Sequence, residues 1–146
     1  MKPLATVEIE IQSTPEKIFQ AWIESEMLAF WMFGPSVRDE SIVHLQCDPR
    51  PGGLFSFLVE RNGTRIDHVG KYLIVDAPSK LQFTWAIDRI SEDDSIVTVE
   101  IHRHESYSIL TIQHEIQPEW TEYLDRTRLA WEKMTTLLKK RVENND

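Results

Sequence analysis

The chain has little cysteine, few basic residues and no long apolar run. Its one cysteine, Cys47, has no partner for an internal disulfide, which suits a reducing compartment. Lys and Arg number 16 against 24 Asp and Glu, a formal net charge of −8, whereas nucleic acid and anionic membrane surfaces attract basic patches. No apolar stretch approaches the roughly 20 residues of a membrane span, and the first residues lack the apolar segment of a signal peptide. We therefore expect a cytoplasmic protein that neither binds nucleic acid nor inserts into a membrane.

The composition is that of ordinary globular protein. Hydrophobic residues make up 41% of the chain and charged residues 27%, which excludes the classes of disordered and fibrous proteins. A length of 146 residues is usual for one domain and short for two separate cores. Because no repeat, low-complexity tract or linker divides the chain, we predict a single domain over residues 1–146.

The first 34 residues change from a strand pattern to a helix pattern. Residues 7–11 alternate apolar and polar side chains, the period of a half-buried strand. Ser13 and Glu16 have capping-box spacing, and Pro15 is tolerated in a first turn, so a helix is predicted to follow. Residues 26–31 predict a second short helix that ends before Gly34.

Six further strands are predicted between the short helices and the last segment. Asn62-Gly63 is typical of a two-residue hairpin turn, and Gly70 inside a strand indicates a bulge or a close approach. Since no helical pattern lies between these strands, we expect an antiparallel sheet. The predicted strands cover residues 41–45, 54–60, 65–75, 81–87, 97–101 and 110–116.

The last segment predicts a long amphipathic helix over residues 120–142. Its apolar stripe has spacings of three and four, at Trp120, Leu124, Thr127, Trp131, Met134 and Leu138. A helix of about 22 residues reaches on the order of 33 Å, enough to cross a domain. A sheet with one apolar face must be covered, and no other predicted element is large enough. The fold class is thus α+β, a curved antiparallel sheet of about seven strands wrapped around this helix, with two short helices after the first strand.

A set of short motifs in this order carries a family resemblance. The chain resembles the branch of the START-like (birch-pollen-allergen-like, SRPBCC) superfamily named for the activator of the heat-shock-90 chaperone ATPase. Two departures occur: Ala130-Trp131 stands where the family usually has Gly-Trp, and the chain has no room for the separate N-terminal domain of the eukaryotic activators. The motifs are STPEKIFQAW at residues 13–22, WMFGP at 31–35, PRPGGLFSF at 49–57, HVGKY at 68–72, LQFTW at 81–85, His114 and Trp131.

The resemblance implies the helix-grip fold, with a cavity between the sheet and the last helix. A ligand site of this kind has a volume on the order of 300–1,000 Å³. The alternation of the strands predicts that His114 points inward with Leu110 and Ile112, and that His68 shares a face with Tyr72. The candidate ligand-binding residues are Trp31, Phe55, Phe57, His68, Tyr72, Trp85, Val97, Val99, His114 and Trp131.

Each candidate histidine has two interpretations. A buried histidine can orient a ligand or act as an acid or base. Alternatively, His114 and His68 are core residues that bond to the backbone or to Tyr72. His102 and His104 share one strand face, as metal ligands would, but the apolar residues of that strand define the other face as the buried one. We therefore predict no metal, no cofactor and no assigned catalytic residue.

Two other positions have local explanations. Arg50 either binds a ligand carboxylate or pairs with Asp48 to stabilise its turn. Cys47 is predicted to lie in a loop with no adjacent histidine, so nothing indicates a thiolate nucleophile.

Three functions remain as hypotheses. The first is the binding of a small hydrophobic or aromatic molecule in the cavity. The second is a protein-interaction module that stimulates a heat-shock-90-type chaperone ATPase, which requires a partner-sized exposed patch. The third is a cyclase- or hydrolase-like enzyme that uses His114, for which the sequence offers only His68 as a second ionisable group inside the cavity.

Overall fold

The computed structural model describes residues 2–144, which form one seven-stranded antiparallel sheet and four helical segments. The strands lie in the order β1-β7-β6-β5-β4-β3-β2, so the first and last strands of the chain are neighbours. The predicted α+β helix-grip class is confirmed. In chain order the elements are β1 (Leu4–Ile11), α1 (Pro15–Ile23), α2 (Ser25–Trp31), β2 (Ser41–Cys47), β3 (Leu54–Arg61), β4 (Thr64–Asp76), β5 (Lys80–Ile87), β6 (Ser95–Arg103), β7 (Ser108–Glu115), a 3-10 helix (Pro118–Tyr123) and α3 (Leu124–Asn144).

The turn between β3 and β4 has the predicted two-residue form. Arg61 pairs with Thr64, and the two residues between them, Asn62 and Gly63, both have positive φ values, 54° and 77°. This backbone matches the right-handed twist of the flanking strands. The turn sets the register that places Phe57 opposite His68.

The start of α1 differs from the prediction. Thr14, not Ser13, is the N-cap residue, and its Oγ1 accepts a hydrogen bond from the Lys17 N–H at 3.3 Å. Pro15 occupies the first helical position, as expected. With Thr14 as the cap, Glu16 is the second helical residue and does not close a capping box. Its carboxylate accepts hydrogen bonds from Arg103 of β6 at 2.7 and 2.8 Å.

The last helix also begins later than predicted. Pro118–Tyr123 forms a 3-10 helix, and α3 starts at Leu124. Trp120 therefore lies outside the buried stripe and is 55% exposed. Trp131, Met134 and Leu138 of the predicted stripe are buried as expected, whereas Leu124 and Thr127 are only half-buried. No helix within residues 2–144 is long and apolar enough to cross a membrane.

A buried carboxylate holds the connection between α2 and β2. Glu40 accepts hydrogen bonds from the Gly34 N–H at 2.8 Å, from Arg38 at 3.0 Å and from Arg61 at 2.7 Å. Burial would raise the pKa of this carboxyl, but the N–H and the two guanidinium groups outweigh burial and hold the pKa below its usual value. Because Phe33 precedes Gly34, this cluster also positions one ring of the aromatic core.

Gly70 lies where two backbones approach closely, as the sequence predicts. A Cβ atom at this position would stand 2.0 Å from the Thr84 carbonyl oxygen and 2.3 Å from Cζ of Phe55. The glycine therefore lets the Phe55 ring lie directly against the sheet, where it packs on Phe57 and Tyr72.

We predict that Gly70→Ala lowers the free energy of unfolding by about 3 kcal/mol or more, because a backbone carbonyl cannot rotate out of the way. Gly52→Ala is the control: its Cβ meets no atom within 4 Å, and only its positive φ of 84° is unfavourable, which costs about 1–2 kcal/mol. Urea denaturation measures both losses. Equal losses for the two variants would contradict the close approach.

Candidate functional site

The predicted ligand cavity, on the order of 300–1,000 Å³, is not found between the sheet and the last helix in residues 2–144. Aromatic rings fill most of that space instead. Phe55 packs on Phe57 with ring centroids 4.7 Å apart, and Trp85 lies 5.8 Å from Phe55 and 6.5 Å from Trp131. The remaining void has a volume of about 10 Å³, which is about the space that one water molecule requires. Its walls are Trp22, Leu28, Met32, Phe55, Phe57, Tyr72, Phe83 and Trp85.

A ligand-sized space lies at the end of the sheet where α3 begins. This space, termed here the end cleft, has a volume of about 620 Å³ and lies between the β5–β6 loop and the 3-10 helix. Gln117 Nε2 donates to the Asp93 carbonyl at 2.8 Å and so links the two sides. The apolar and aromatic walls come from Trp85, Ile87, Ile116, Trp120 and Tyr123, with His114 and Ser95 as polar members and Arg89, Asp93 and Asp94 on the loop side.

A directed chain of hydrogen bonds passes through His114. The Trp131 Nε1–H donates to Nδ1 of His114 at 3.0 Å, and an indole nitrogen can only donate. Nδ1 is therefore the acceptor, so Nε2 carries the hydrogen and donates to Ser95 Oγ at 2.9 Å. Ser95 Oγ in turn donates to the Trp85 carbonyl at 2.9 Å. This chain connects α3 with β7, β6 and β5.

The imidazole of His114 is held in its neutral form. Burial lowers the pKa of His114 to about 4, because a charged ring would lose its hydration. Both ring nitrogens already bond to protein groups. In this arrangement His114 supports the wall of the end cleft and has no free nitrogen for proton transfer.

His68 is a buried histidine bonded to the backbone. Its Nδ1 donates to the Phe57 carbonyl at 3.0 Å, and its ring lies 4.8 Å from Phe33 and 5.4 Å from Trp85. Burial lowers the pKa of His68 as well. The ring thus packs in the aromatic core, as the second of the two sequence-based interpretations has it.

The ten predicted site residues separate into three groups. Four of them, Phe55, Phe57, Tyr72 and Trp85, line the small void, and Trp85 also lines the end cleft together with His114. The other five line neither space and are buried in the core: Trp31, His68, Val97, Val99 and Trp131. Trp85 is thus the one predicted residue that borders both spaces.

Sequence reasoning missed the two most exposed aromatic walls of the end cleft. It placed Trp120 and Tyr123 on the long helix, whereas the 3-10 helix leaves them 55% and 38% exposed. The available signal was Pro118, which favours a separate first turn two residues before Trp120. Trp22 and Phe83, which occur in the family motifs at residues 13–22 and 81–85, were not among the predicted site residues but line the small void.

The other polar candidates do not form a site. His102 and His104 are exposed on the outer side, and residues 2–144 contain no group of three or more His, Cys, Asp or Glu side chains arranged to hold a metal ion. Arg50 pairs with Asp48 at 2.8 Å. Cys47 was predicted to lie in a loop, but β2 extends two residues further than predicted and ends at Cys47. The Cys47 thiol donates a hydrogen bond to the Ile23 carbonyl at 3.3 Å. Burial raises the pKa of its thiol.

A second cleft, of about 540 Å³, lies among β2, β3, β4 and the β5–β6 loop. Both clefts have polar lining residues, but Phe55 is the only aromatic wall of the second cleft among the described residues. The end cleft has three aromatic walls, Trp85, Trp120 and Tyr123. Ligand pockets are rich in aromatic side chains, so the end cleft is the stronger candidate.

One protein-family model matches most of the chain. The model of the family described as "Activator of Hsp90 ATPase homolog 1-like protein" matches residues 12–143. The chain belongs to this family. No curated protein matches the sequence significantly. The matched region contains the residues of the end cleft and of the aromatic core and nearly all of α3. The family match assigns no specific activity to them.

Solved structures of bacterial proteins share the fold. A protein from Chromobacterium violaceum is 21% identical with a TM-score of 0.83, over 98% of this chain and 99% of its own. A protein from Nitrosomonas europaea is 18% identical with a TM-score of 0.82, over 98% and 96%. The Aha1 dimer from Colwellia psychrerythraea is 17% identical with a TM-score of 0.78, over 99% and 98%. At these identities the likeness shows the fold alone.

We predict that His114 makes the protein less stable in acid. Its folded pKa of about 4 lies below the usual 6.5, so the unfolded state binds the proton first and the stability that neutral His114 contributes is lost as the pH falls from 6.5 towards 4. Between pH 7 and pH 4 the wild type should lose roughly 3 kcal/mol more free energy of unfolding than His114→Gln. Urea denaturation at several pH values measures the difference. His68 destabilises the protein in acid in the same direction, but it is present in both proteins, so its contribution cancels in the difference. If His114→Gln has the same pH profile of stability as the wild type, His114 is not a neutral buried residue.

Proposed function

We propose that this protein binds a small hydrophobic or aromatic molecule in the end cleft. One observation carries the proposal: a cleft of about 620 Å³ has exposed Trp120 and Tyr123 on one side and Trp85 at its inner end. Large aromatic side chains are costly to expose, and their faces are good surfaces for stacking a ligand. The Cys47 free thiol suits a reducing, cytoplasmic setting for this activity.

The inner end of the cleft provides a route for a larger ligand. Trp85 lines both the end cleft and the small void, and it is only partly buried whereas Phe83 two residues before it is buried. Rotation of the Trp85 side chain would join the two spaces. Five of the ten candidate residues of the sequence analysis then contact the ligand in two steps, with Trp85 and His114 first, and Phe55, Phe57 and Tyr72 after the spaces join.

Stimulation of an Hsp90-type chaperone ATPase is the second candidate, and family membership is the observation that favours it. This function needs a surface for the chaperone, and the exposed Trp120 and Tyr123 are the apolar groups it would use. The steady-state ATPase rate of a bacterial Hsp90 homologue, measured with and without the full chain, tests it. An increase that Trp120→Ala abolishes would favour this candidate over ligand binding.

An enzymatic role for His114 is the weakest of the three. General acid–base catalysis needs a group with a pKa near the working pH and a free nitrogen near the substrate. His114 has a pKa of about 4 and bonds to protein at both nitrogens.

We predict that a panel of fatty acids, aromatic polyketides, sterols and flavonoids contains compounds that raise the thermal midpoint. A ligand at one hundred times its dissociation constant adds about 2.7 kcal/mol, which corresponds to a midpoint rise of roughly 5–10 °C in a domain of this size. Trp120→Ala should weaken the binding of a positive compound about fivefold, because one aromatic contact is lost. Thermal shift and fluorescence titration measure both effects.

Leu129→Ala is the matched control, since Leu129 is an exposed apolar residue of α3 outside the end cleft. It should bind the positive compounds as the wild type does. If no compound raises the midpoint, or if Trp120→Ala and Leu129→Ala bind equally well, the proposed site is wrong.

A further inference from the structure

The Trp22 indole is a buried donor without an acceptor. Its side chain belongs to α1, is 3% exposed and lines the small void. Its Nε1 is buried and has no hydrogen-bond partner among residues 2–144. Buried donors are almost always paired with a protein group, an ordered water or a ligand, so Trp22 Nε1 requires a partner other than residues 2–144. The adjacent void has room for one water or for the oxygen atom of a ligand.

Two neighbouring indoles show that the fold normally provides an acceptor. Trp31 is equally buried, and its Nε1 donates to the Ala21 carbonyl at 2.8 Å. Trp131 is also buried, and its Nε1 donates to His114 at 3.0 Å. The three rings pack together, with Trp22 at 4.6 Å from Trp31 and 5.8 Å from Trp131. Unlike the indole N–H groups of Trp31 and Trp131, that of Trp22 has no acceptor among residues 2–144.

The walls of the void exclude a charged partner for this donor. They are apolar apart from the Tyr72 hydroxyl and the indole nitrogens, and they contain neither an acidic nor a basic side chain. Burial raises the pKa of Tyr72, which keeps its hydroxyl neutral. A carboxylate entering this space would lose its hydration without a counter-ion. A neutral oxygen, such as that of a ketone, accepts a hydrogen bond without that cost.

From these observations we infer that the ligand carries a neutral carbonyl oxygen on a flat apolar frame, and that this oxygen accepts a hydrogen bond from Trp22 Nε1. This inference rests on the proposed function, because the ligand reaches Trp22 from the end cleft past Trp85. The void of about 10 Å³ cannot hold such a molecule unless the Trp85 ring moves. The frame stacks among Trp85, Phe55 and Phe83, and the carbonyl points towards α1.

Fluorenone and fluorene form a matched pair of probes, since they share a flat three-ring frame and differ in a ketone against a methylene group. Wild-type protein should bind fluorenone about fivefold more tightly than fluorene, the effect of one net hydrogen bond. In ¹⁵N-labelled protein, fluorenone should shift the indole N–H resonance of Trp22 downfield, whereas fluorene should not. The resonances of Trp31 and Trp131, whose donors are already bonded, serve as internal controls in the same spectrum.

Trp22→Phe removes the donor and keeps an aromatic ring, so it should bind the two probes with equal affinity. If this variant does not fold, the chemical shift of the wild-type Trp22 resonance still decides the question. Equal binding of the two probes by the wild type, with the Trp22 resonance unmoved, would overturn the inference and leave the end cleft as a binding site. Binding of neither probe to the wild type would overturn the inference together with the proposed aromatic ligand.

Discussion

The packing of α3 against the inner face of the sheet is the interaction on which the rest of the structure depends. A seven-stranded antiparallel sheet with one apolar face is stable only when that face is covered. The buried side chains of α3 provide this cover together with those of α1 and α2, and Trp131 adds a hydrogen bond to His114 on β7. Further hydrogen bonds join His114 to Ser95 and Ser95 to the Trp85 carbonyl. The position of α3 and the wall of the end cleft are therefore linked.

The same packing explains why the interior has almost no free space. Aromatic rings from α1, β3, β4, β5 and α3 meet at centroid distances of about 5–6 Å, as Trp22, Phe55 and Trp131 illustrate. Tight packing stabilises the core, but it leaves only a small void at the Trp22 indole. The ligand-sized spaces therefore lie outside this core, in the end cleft beside the 3-10 helix and in the second cleft beside β2 and β3.

The fold was largely predictable because its strands follow a simple two-residue period. The hairpin at Asn62-Gly63, the inward direction of His114 and the close approach at Gly70 all follow from that period and from the chemistry of glycine. The site was less predictable. The two-residue period indicates that Val97 and Val99 face inward, but it does not separate a residue that borders a space from one that is fully packed.

By itself, the sequence determined the element order, the buried face of each strand and the family, since these depend on local periods and short motifs. The tertiary structure decided the rest. Thr14, and not Ser13, caps α1, and Glu16 pairs with the distant Arg103. The tertiary structure also exposed Trp120 and left Trp22 Nε1 without an acceptor. These outcomes depend on which side chains meet in space, and distances between residues far apart in the chain are not encoded in any local pattern.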